Sequence, residues 1–584
     1  MKIKGKKSLF FLICVFLVSI FLNITAIQWG LPDTETANLV IGDNKLLEDL
    51  TSLMVETRSE IRSMVKIPGE KYADFYDENK VISIEYDNRR LNLTLGQINA
   101  IRTYLLRTYY PDEHITIVAL TNINPKKKQF SPKVLIPGAF YVYSTGLYLA
   151  ICHYTGIIRI TNNLDFYLTN PGEMGRIYLL IRLFNLIAFL FSIYLIWMTG
   201  KMIWNERVGL IASFLFGVSP VLNLWNHFGY YYTFSLPFVI LAFFFSARIL
   251  KNNDIKDYAL AGVFSGISMS IVMLYGMTVS FLLVSCLMIL FMNSSTYNSR
   301  EATKKILTVF ISILGTFLAI NIFLLADFET LLKLIKFEQG DFIFSPQLFY
   351  FIFGSLKSAT GLPFLLSAQA GYILLIMQKN RFSLFFTVSM IMPVIILSCF
   401  SPWYARRAIF LIPFMALSSG VFCDWLKKKS SIAGNIILFM LFAFTFIYSA
   451  AFTNTFAGED TREKAGKWIN TTIPDNSKIG LLQLPTPYRT PPFHFWRYKL
   501  IAINWDKKAL EEMKPDYFII SEYETQWLEE SKEVSFFENY SKIKEFRKTP
   551  SFTGISFDRT RFSAKDFWIL SPCITIYKRK NVER

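Results

Sequence analysis

The fold follows from residues 177–199, which read IYLLIRLFNLIAFLFSIYLIWMT and carry a single charge, Arg182. An α-helix rises about 1.5 Å per residue, so roughly twenty apolar residues cross the hydrocarbon core of a bilayer. Similar stretches recur along the chain, with candidate bounds 1–27, 177–199, 208–223, 232–250, 258–275, 277–292, 305–326, 361–377, 383–400, 406–425 and 432–452. The pattern predicts an α-helical polytopic membrane protein with about eleven transmembrane helices.

Composition agrees with this prediction. Hydrophobic residues make up 52% of the 584 positions, Phe alone numbers 56, and only 18% of residues are charged. The net charge of +17 is compatible with nucleic-acid binding, but no basic stripe with interleaved aromatic residues occurs. We therefore exclude nucleic acid as a partner and expect membrane lipids to surround the chain.

The basic residues collect in short loops between apolar spans. These loops hold Lys201 and Arg207; Arg248, Lys251 and Lys256; Arg300, Lys304 and Lys305; Lys379 and Arg381; and Lys427, Lys428 and Lys429. The positive-inside rule places these loops and the N-terminus in the cytoplasm, and the long first loop on the outer side. The predicted location is the plasma (inner) membrane, with multiple passes.

The distribution of apolar spans divides the chain into four parts. Residues 1–27 form the first transmembrane helix, and residues 28–175 form a large outer loop with amphipathic and interfacial helices. Residues 176–452 form the polytopic transmembrane domain. Residues 453–584 are charged and contain short apolar strands, which predict a small soluble α/β domain. An odd number of spans puts this domain on the outer, periplasmic side, together with the first loop.

Metal sites and disulfides are not indicated by the sequence. The six cysteines are scattered without a C-x-x-C pair, and the four histidines lack metal-ligand spacing. We expect no obligatory cofactor and no transition metal. A divalent cation at a phosphate group stays open.

The outer loop contains an acidic motif, Tyr110-Pro111-Asp112-Glu113-His114. A carboxylate at a membrane surface can act as a general base, and basic residues can neutralise a departing phosphate. Lys133 in the same loop and the Arg406-Arg407 pair at an outer helix end are the candidate phosphate ligands. The alternative interpretation is an ordinary solvated Asp-Glu pair, which spacing alone does not exclude.

Several segments resemble the membrane-embedded GT-C glycosyltransferases, specifically the bacterial branch similar to protein O-mannosyltransferases and aminoarabinose transferases. In that family an acidic motif of proline or tyrosine followed by Asp-Glu lies in the first outer loop. The resemblance extends through 121–125, Phe130-Ser131-Pro132-Lys133, Tyr141-Val142-Tyr143, Arg182-Leu183-Phe184, the span that begins at Val208, and 460–469. Each piece is short, but together they cover most of the chain.

The resemblance implies roles for individual residues. Asp112 is expected to be the catalytic base, with Glu113 supporting it or orienting the acceptor. Lys133 stands where some relatives contact the donor phosphate. Asp33, just beyond the first helix, is a second candidate carboxylate. Further candidates for the pocket are His114, Tyr143, Arg182 and His227, although a solvated loop histidine is an equal alternative for His114.

Two departures from the family pattern stand beside these matches. Many relatives place an Asp near the outer end of the third span, where this chain has 226–232, Asn-His-Phe-Gly-Tyr-Tyr-Tyr. Many also have a Lys in the fifth span, where this chain has Met273-Leu274-Tyr275. Either the donor is held differently, with His227 or the tyrosines taking part, or the activity is altered.

The resemblance implies a hexosyl- or pentosyltransferase that uses a polyprenyl-phosphate-linked sugar donor at the outer membrane face. The acceptor is a lipid, a polysaccharide or a protein. Two alternatives remain: a catalytically altered scaffold or binding relative, and a transporter of lipid-linked sugars. A transporter would be expected to carry polar residues within several spans and matching broken helices in two halves, and neither pattern occurs in the sequence.

Overall fold

A computed structural model describes residues 2–57, 79–86, 89–134, 136–292, 299–325, 332, 342–401, 404–526, 530–558 and 564–580. These residues are mostly helical. The helices before the main bundle are Lys2–Ile24, Thr34–Val40, Asn44–Glu56, Leu95–Leu106, Glu113–Thr121, Pro125–Lys127, Ala139–Tyr154 and Leu164–Thr169. A hairpin of two antiparallel strands, Val81–Tyr86 and Arg89–Thr94, lies among them.

The main bundle follows in sequence. Its helical segments are Pro171–Ile203, Glu206–Gly217, Pro220–Asn226, Tyr231–Asn252, Ile255–Ile271, Met273–Thr278, Val279–Met292, Ser299–Ile320, Ile322–Leu325, Leu348–Tyr350, Phe351–Leu356, Lys357–Thr360, Leu362–Gln378, Arg381–Ser398, Ala405–Leu411, Ile412–Lys429 and Ser431–Phe456. Within the described residues, eight helices are long and apolar enough to cross a membrane, or up to ten if each of two bent pairs is one span. The predicted fold class, a polytopic helical membrane protein with a small sheet domain near the C-terminus, is confirmed.

The span count differs from the expected eleven for local reasons. The candidate span 258–275 corresponds to Ile255–Ile271, a helix of 17 residues followed by a 3₁₀ turn, and is therefore too short to count. The candidate 361–377 forms the second half of a bent pair, Leu348–Thr360 and Leu362–Gln378, with an angle of 117° between the halves. Gly361 makes this bend with φ +77°, a conformation that L side chains rarely adopt.

The C-terminal region carries a five-stranded mixed sheet. Its strand order across the sheet is Lys499–Ala502, Lys478–Leu481, Tyr517–Ser521, Ile574–Arg579 and Tyr540–Phe546. The first three strands are parallel, and the last two pairings are antiparallel. The remaining elements of this region are a hairpin, Ser551–Phe552 with Ile555–Ser556, and the helices Thr461–Thr472, Phe495–Arg497, Lys507–Met513, Glu522–Thr525, Glu530–Phe536 and Lys565–Ile569.

The large outer loop and the C-terminal region share one hydrophobic core. Buried residues of the loop helices, such as Leu50 and Ile101, cluster with Ile469, Phe495 and Ile574 from the C-terminal region. Hydrogen bonds cross the same boundary, since the Gln97 side chain donates to the carbonyls of Phe495 (2.8 Å) and Tyr498 (3.0 Å). The two regions therefore lie at the same end of the bundle.

The basic loops gather at the opposite end. The Arg381 guanidinium donates to the carbonyl of Leu250 at 3.2 Å, and Arg207 pairs with Asp424 at 3.0 Å. These contacts join loops that are far apart in sequence. The concentration of Lys and Arg at one end agrees with the positive-inside pattern, while the orientation in the membrane stays a prediction.

Candidate functional site

The acidic motif lies in a short loop between the helices Leu95–Leu106 and Glu113–Thr121. The backbone of this loop is fixed to the end of the first helix, because the Tyr109 amide donates to the Gly30 carbonyl at 2.9 Å. Asp112 occupies the N-cap position of the second helix, but its side chain makes no capping hydrogen bond. The two carboxylates of the motif consequently point into different surroundings.

Glu113 is completely buried and is held by four donors. Arg182 forms a two-pronged ion pair with it, Nε to Oε1 and Nη2 to Oε2, both at 2.8 Å. The Gly229 amide donates to Oε1 at 2.7 Å, and the Thr108 hydroxyl donates to Oε2 at 2.6 Å. Every oxygen is thus engaged twice. We call Glu113, Arg182, Thr108 and Gly229 the clamp.

Arg182 connects the clamp to the turn that follows the helix Lys2–Ile24. Its remaining terminal nitrogen, Nη1, donates to the carbonyls of Ile27 (2.7 Å) and Trp29 (2.8 Å). A side chain at position 229 would place its Cβ 2.7 Å from Glu113 Oε1, so the close approach requires glycine. Glu113 and Arg182, both predicted site residues, therefore come together as a positioning pair, without a free oxygen or nitrogen for substrate.

Asp112 is only partly buried. Its Oδ2 accepts a hydrogen bond from the Tyr110 hydroxyl at 3.2 Å, and no described residue donates to Oδ1. This oxygen is free to accept a proton, which is what a general base needs.

Arg406 provides the opposite charge at this site. Its guanidinium lies over the Tyr404 ring at 4.0 Å and near Trp225 at 5.9 Å, within electrostatic range of Tyr110 and Asp112, and no direct ion pair with Asp112 occurs among the described contacts. The backbone amides of Ala405 and Arg406 donate to the carboxylate of Asp566, which anchors the start of this helix at 2.9 and 2.8 Å. We call Asp112, Tyr110 and Arg406 the open site.

Aromatic side chains wall the open site. Tyr110 stacks on Phe228 with ring centroids 4.3 Å apart and meets Trp225 edge-on at 5.4 Å. Burial, followed by the Asp112 charge, raises the pKa of Tyr110 well above its usual value. The phenol therefore stays protonated and remains a donor to Asp112 at any physiological pH. The ring centroid of Tyr230 lies 5.9 Å from that of Tyr110. Burial, followed by the Asp112 charge, raises the pKa of Tyr230 as well.

The C-terminal region contributes to the same wall. Tyr523 meets Tyr488 edge-on at 5.4 Å, and burial raises the pKa of Tyr523 above its usual value, with smaller contributions from Tyr488, Tyr404 and Asp112. Tyr110 belongs to the acidic motif, although no role of its own was predicted for it. Tyr488, Tyr523 and Asp566 were not predicted as site residues, because tertiary contacts that a single sequence does not reveal bring them here.

The other two candidate phosphate ligands, Lys133 and Arg407, have no described contact with Asp112. Lys133 is exposed, has a positive φ of 52°, and makes no ion pair within the described ranges. Its loop packs elsewhere, with Asn122 donating to the Pro132 carbonyl at 2.9 Å. The Arg407 guanidinium lies against the rings of Phe400 (4.8 Å) and Tyr404 (5.3 Å). Of the three cations, Arg406 is the one with a described electrostatic interaction with Asp112.

Asp33 and Tyr143 have local roles in the structure. Asp33 is the N-cap of the helix Thr34–Val40, and its side chain accepts from the Thr36 amide at 2.7 Å. Its carboxylate thus satisfies a free backbone amide in the first turn of the helix, as N-cap side chains ordinarily do. The Tyr143 hydroxyl donates to the Phe130 carbonyl at 2.8 Å and fixes the loop that carries Lys133. Neither residue has a described contact with Asp112.

The two candidate histidines are both engaged with backbone carbonyls. His114 Nδ1 donates to the Pro111 carbonyl at 2.8 Å, and burial together with Arg107 lowers the pKa of His114 to about 3. His227 is fully buried, stacks on Phe456 at 4.3 Å, and has its ring nitrogens 2.7 and 2.8 Å from the carbonyls of Asn223 and Thr25. These contacts fix loop geometry near the site.

A metal site built from three or more His, Cys, Asp or Glu side chains does not occur among the residues that the structure describes. The open site itself offers one carboxylate and tyrosine hydroxyls. The expectation that no metal is obligatory stays a prediction.

One family model matches part of the chain. Residues 175–322 match the family model described as dolichyl-phosphate-mannose-protein mannosyltransferase. The matched segment includes Arg182 and Gly229 of the clamp, and it excludes Asp112 and Arg406. No protein of curated function matches the chain significantly.

Solved structures with a similar course of the chain are an archaeal oligosaccharyltransferase and a bacterial protein. AglB from Archaeoglobus fulgidus, in complex with an inhibitory peptide and a dolichol-phosphate, is 11% identical with a TM-score of 0.44, covering 78% of this chain and 73% of that chain. ArnT from Cupriavidus metallidurans bound to undecaprenyl phosphate is 11% identical with a TM-score of 0.43, covering 82% of this chain and 95% of that chain. The apo structure of the same protein is 10% identical with a TM-score of 0.41, and the coverage of both chains is the same.

Proposed function

We propose that this membrane protein transfers a sugar from a polyprenyl-phosphate donor to an acceptor hydroxyl or amine, with Asp112 as the general base. The observation that carries the proposal is the contrast between two adjacent carboxylates. Glu113 is saturated by four donors, while Asp112 has one oxygen to which no described residue donates and lies within electrostatic range of Arg406. The family model over residues 175–322, whose description names a dolichyl-phosphate-mannose donor, supports the donor class.

The reaction follows from these positions. Asp112 Oδ1 removes the proton from the acceptor, whose oxygen or nitrogen then attacks the anomeric carbon of the sugar. The bond between that carbon and the phosphate oxygen breaks, and the electron pair leaves with the lipid phosphate. Arg406 stabilises the negative charge that develops on the phosphate, as a fixed cation does at other phosphate sites. Direct attack of this kind inverts the anomeric configuration.

Neutral tyrosines complete the proposed site. The Tyr110 hydroxyl donates to Asp112 Oδ2, which orients the carboxylate so that Oδ1 faces the acceptor. Tyr488 and Tyr523 from the C-terminal region offer aromatic faces to a sugar or an acceptor. The proposed location is the outer face of the plasma membrane, since the basic loops at the other end of the bundle are expected to face the cytoplasm.

The test is sugar transfer by membranes that contain the protein, supplied with labelled polyprenyl-phosphate sugars and with host lipid, polysaccharide and protein acceptors. Wild type is compared with Asp112→Asn, which keeps the shape of the side chain and removes the base. Loss of a general base costs about 10²- to 10⁴-fold in rate. We expect a loss in that range, with the thermal unfolding midpoint in detergent unchanged.

Asp33→Asn is the matched control, because it removes a carboxylate of the same loop that serves as a helix cap. Its transfer rate is expected to remain close to that of wild type. Robust transfer by Asp112→Asn would refute the assignment of the base. Binding of the lipid donor by wild type, with no acceptor modified, would favour the scaffold alternative.

A further inference from the structure

A cavity of about 440 Å³ lies at the end of the bundle opposite the open site. It is lined by the C-terminal ends of the helices Pro171–Ile203 and Leu362–Gln378, by the start of Arg381–Ser398, and by the last turns of Ile412–Lys429. Arg182 and Trp204 are separated by 22 positions, or about 33 Å along a helix. The cavity is therefore about one membrane thickness away from the clamp.

The charges around the cavity are mainly positive. Asp424 is buried and is neutralised by Arg207 at 3.0 Å and by Lys428 at 2.7 Å, while Asn205 donates to it at 3.0 Å. Arg381 adds a further cation that has no described carboxylate partner. Two cations and one carboxylate line the cavity, and Arg207 pairs with that carboxylate from outside the lining, so the surplus of positive charge favours an anionic ligand.

The Arg381 guanidinium is held in place at the rim. It donates to the Leu250 carbonyl at 3.2 Å and lies over the Phe382 ring at 5.0 Å. A guanidinium with one fixed hydrogen bond keeps other N–H groups available for phosphate oxygens.

Aromatic residues line the same cavity. Trp204, Trp425 and Phe382 are among the lining residues, and aromatic side chains are typical at the boundary between a membrane and water.

Exposed apolar side chains lie within two residues, in sequence, of Gln378 and Phe382, which line the cavity on two of its bordering helices. Ile376 and Met377 are 55% and 68% exposed, and Leu384 is 51% exposed. These side chains suit acyl chains, which a soluble phosphate compound lacks. We infer that the cavity binds the phosphate-bearing headgroup of an anionic membrane lipid, with Arg381 and Lys428 contacting the phosphate and the acyl chains lying along the neighbouring helices.

The experiment measures lipid retention by the full-length protein. The protein is taken from mixed vesicles of phosphatidylcholine and phosphatidylglycerol, and native mass spectrometry counts the lipids that remain bound. We expect wild type to be enriched in phosphatidylglycerol, and the double variant Arg381→Gln/Lys428→Gln to show about tenfold less enrichment. Lys256→Gln is the matched control, because this exposed lysine lies in another basic loop and does not line the cavity.

Two further measurements test whether the loss of lipid reflects misfolding and whether the bound phosphate belongs to a lipid or to a soluble compound. Arg381→Lys keeps the charge, so most of the enrichment is expected to remain, and each variant is checked by its thermal unfolding midpoint. Addition of inorganic phosphate is expected to leave the bound lipid in place. Displacement by inorganic phosphate would overturn the lipid assignment in favour of a soluble phosphate site. Equal enrichment in wild type and the double variant, or none in wild type, would overturn the cavity as a headgroup site.

Discussion

Asp112 and Glu113 are neighbours in sequence, yet they belong to two regions with opposite properties. In the clamp, Glu113 and Arg182 are fully buried and all their polar atoms are engaged. In the open site, Asp112 is partly exposed and has one hydrogen bond to its carboxylate. One acidic motif thus supplies both a buried structural anchor, Glu113, and the carboxylate that we propose as the general base, Asp112.

The difference arises from the start of a helix. Glu113 is the first residue of Glu113–Thr121, so its side chain turns toward the bundle, while Asp112 stays in the preceding loop. The clamp fixes the helix start against the turn that follows the helix Lys2–Ile24 through Arg182, and this fixes the backbone of Asp112 as well. The clamp is therefore expected to determine stability, and the open site to determine rate.

The largest effect is expected in the clamp from Arg182→Gln. This change leaves Glu113 as a buried charge without a counter-charge, which destabilises proteins by about 3–5 kcal/mol. We expect a large drop in the thermal unfolding midpoint in detergent, or loss of folded protein. Arg176→Gln is the control, since Arg176 is on the same helix and its side chain is 64% exposed in an ion pair with Glu173. Exposed pairs contribute at most about 1 kcal/mol.

A second variant separates charge loss from loss of packing. Glu113→Gln combined with Arg182→Met removes both charges together, and replacing a whole buried pair is often neutral or stabilising. We expect this double variant to recover part of the lost stability, because the carbonyls of Ile27 and Trp29 still lose their donor. Equal unfolding midpoints for Arg182→Gln and Arg176→Gln would show that the clamp does not carry the stability assigned to it.

The next effect concerns the open site and the variant Arg406→Gln. Removing a fixed charge that stabilises a transition state costs about 10²- to 10³-fold in rate. We expect that loss in sugar transfer, with a smaller change in the unfolding midpoint than for Arg182→Gln. The measurement is the initial rate of transfer with saturating donor.

Two other candidate cations serve as comparisons. Arg407 lies against aromatic rings and Lys133 is exposed, so Arg407→Gln and Lys133→Gln are expected to retain more activity than Arg406→Gln. A larger loss in Lys133→Gln than in Arg406→Gln would move the phosphate site to the loop that carries Lys133.

Most of the fold was predictable because long apolar runs specify membrane helices locally. The runs around 177–199, 232–250 and 432–452 became Pro171–Ile203, Tyr231–Asn252 and Ser431–Phe456. Bends were less predictable, because the 117° angle at Gly361 depends on how two halves pack as well as on the glycine.

The surroundings of the candidate site were predictable only in part. The motif drew attention to Asp112 and Glu113, whose roles stay a prediction, but their different surroundings depend on partners far away in sequence. Arg182 and Gly229 lie 69 and 116 positions from Glu113. Arg406 comes from a later helix, and Tyr523 comes from the C-terminal region. A single sequence shows none of these contacts, because hydrophobic periodicity reports which face of a helix is buried and says nothing about its partner.

The smallest effect on stability is expected from His114, which follows Glu113 of the clamp in sequence. Burial lowers the pKa of His114 to about 3 from 6.5, so the folded protein keeps the ring neutral while the unfolded chain takes up a proton. The unfolded state binds more protons between these two values, and stability is therefore lost as pH falls from about 6.5 toward about 3. The loss at pH 5 is at most about 2 kcal/mol. In His114→Gln this contribution disappears, so the difference in unfolding midpoint between pH 7.5 and pH 5 is expected to be smaller than in wild type. Identical pH dependence in the two proteins would mean that His114 is as accessible to protons in the fold as in the unfolded chain.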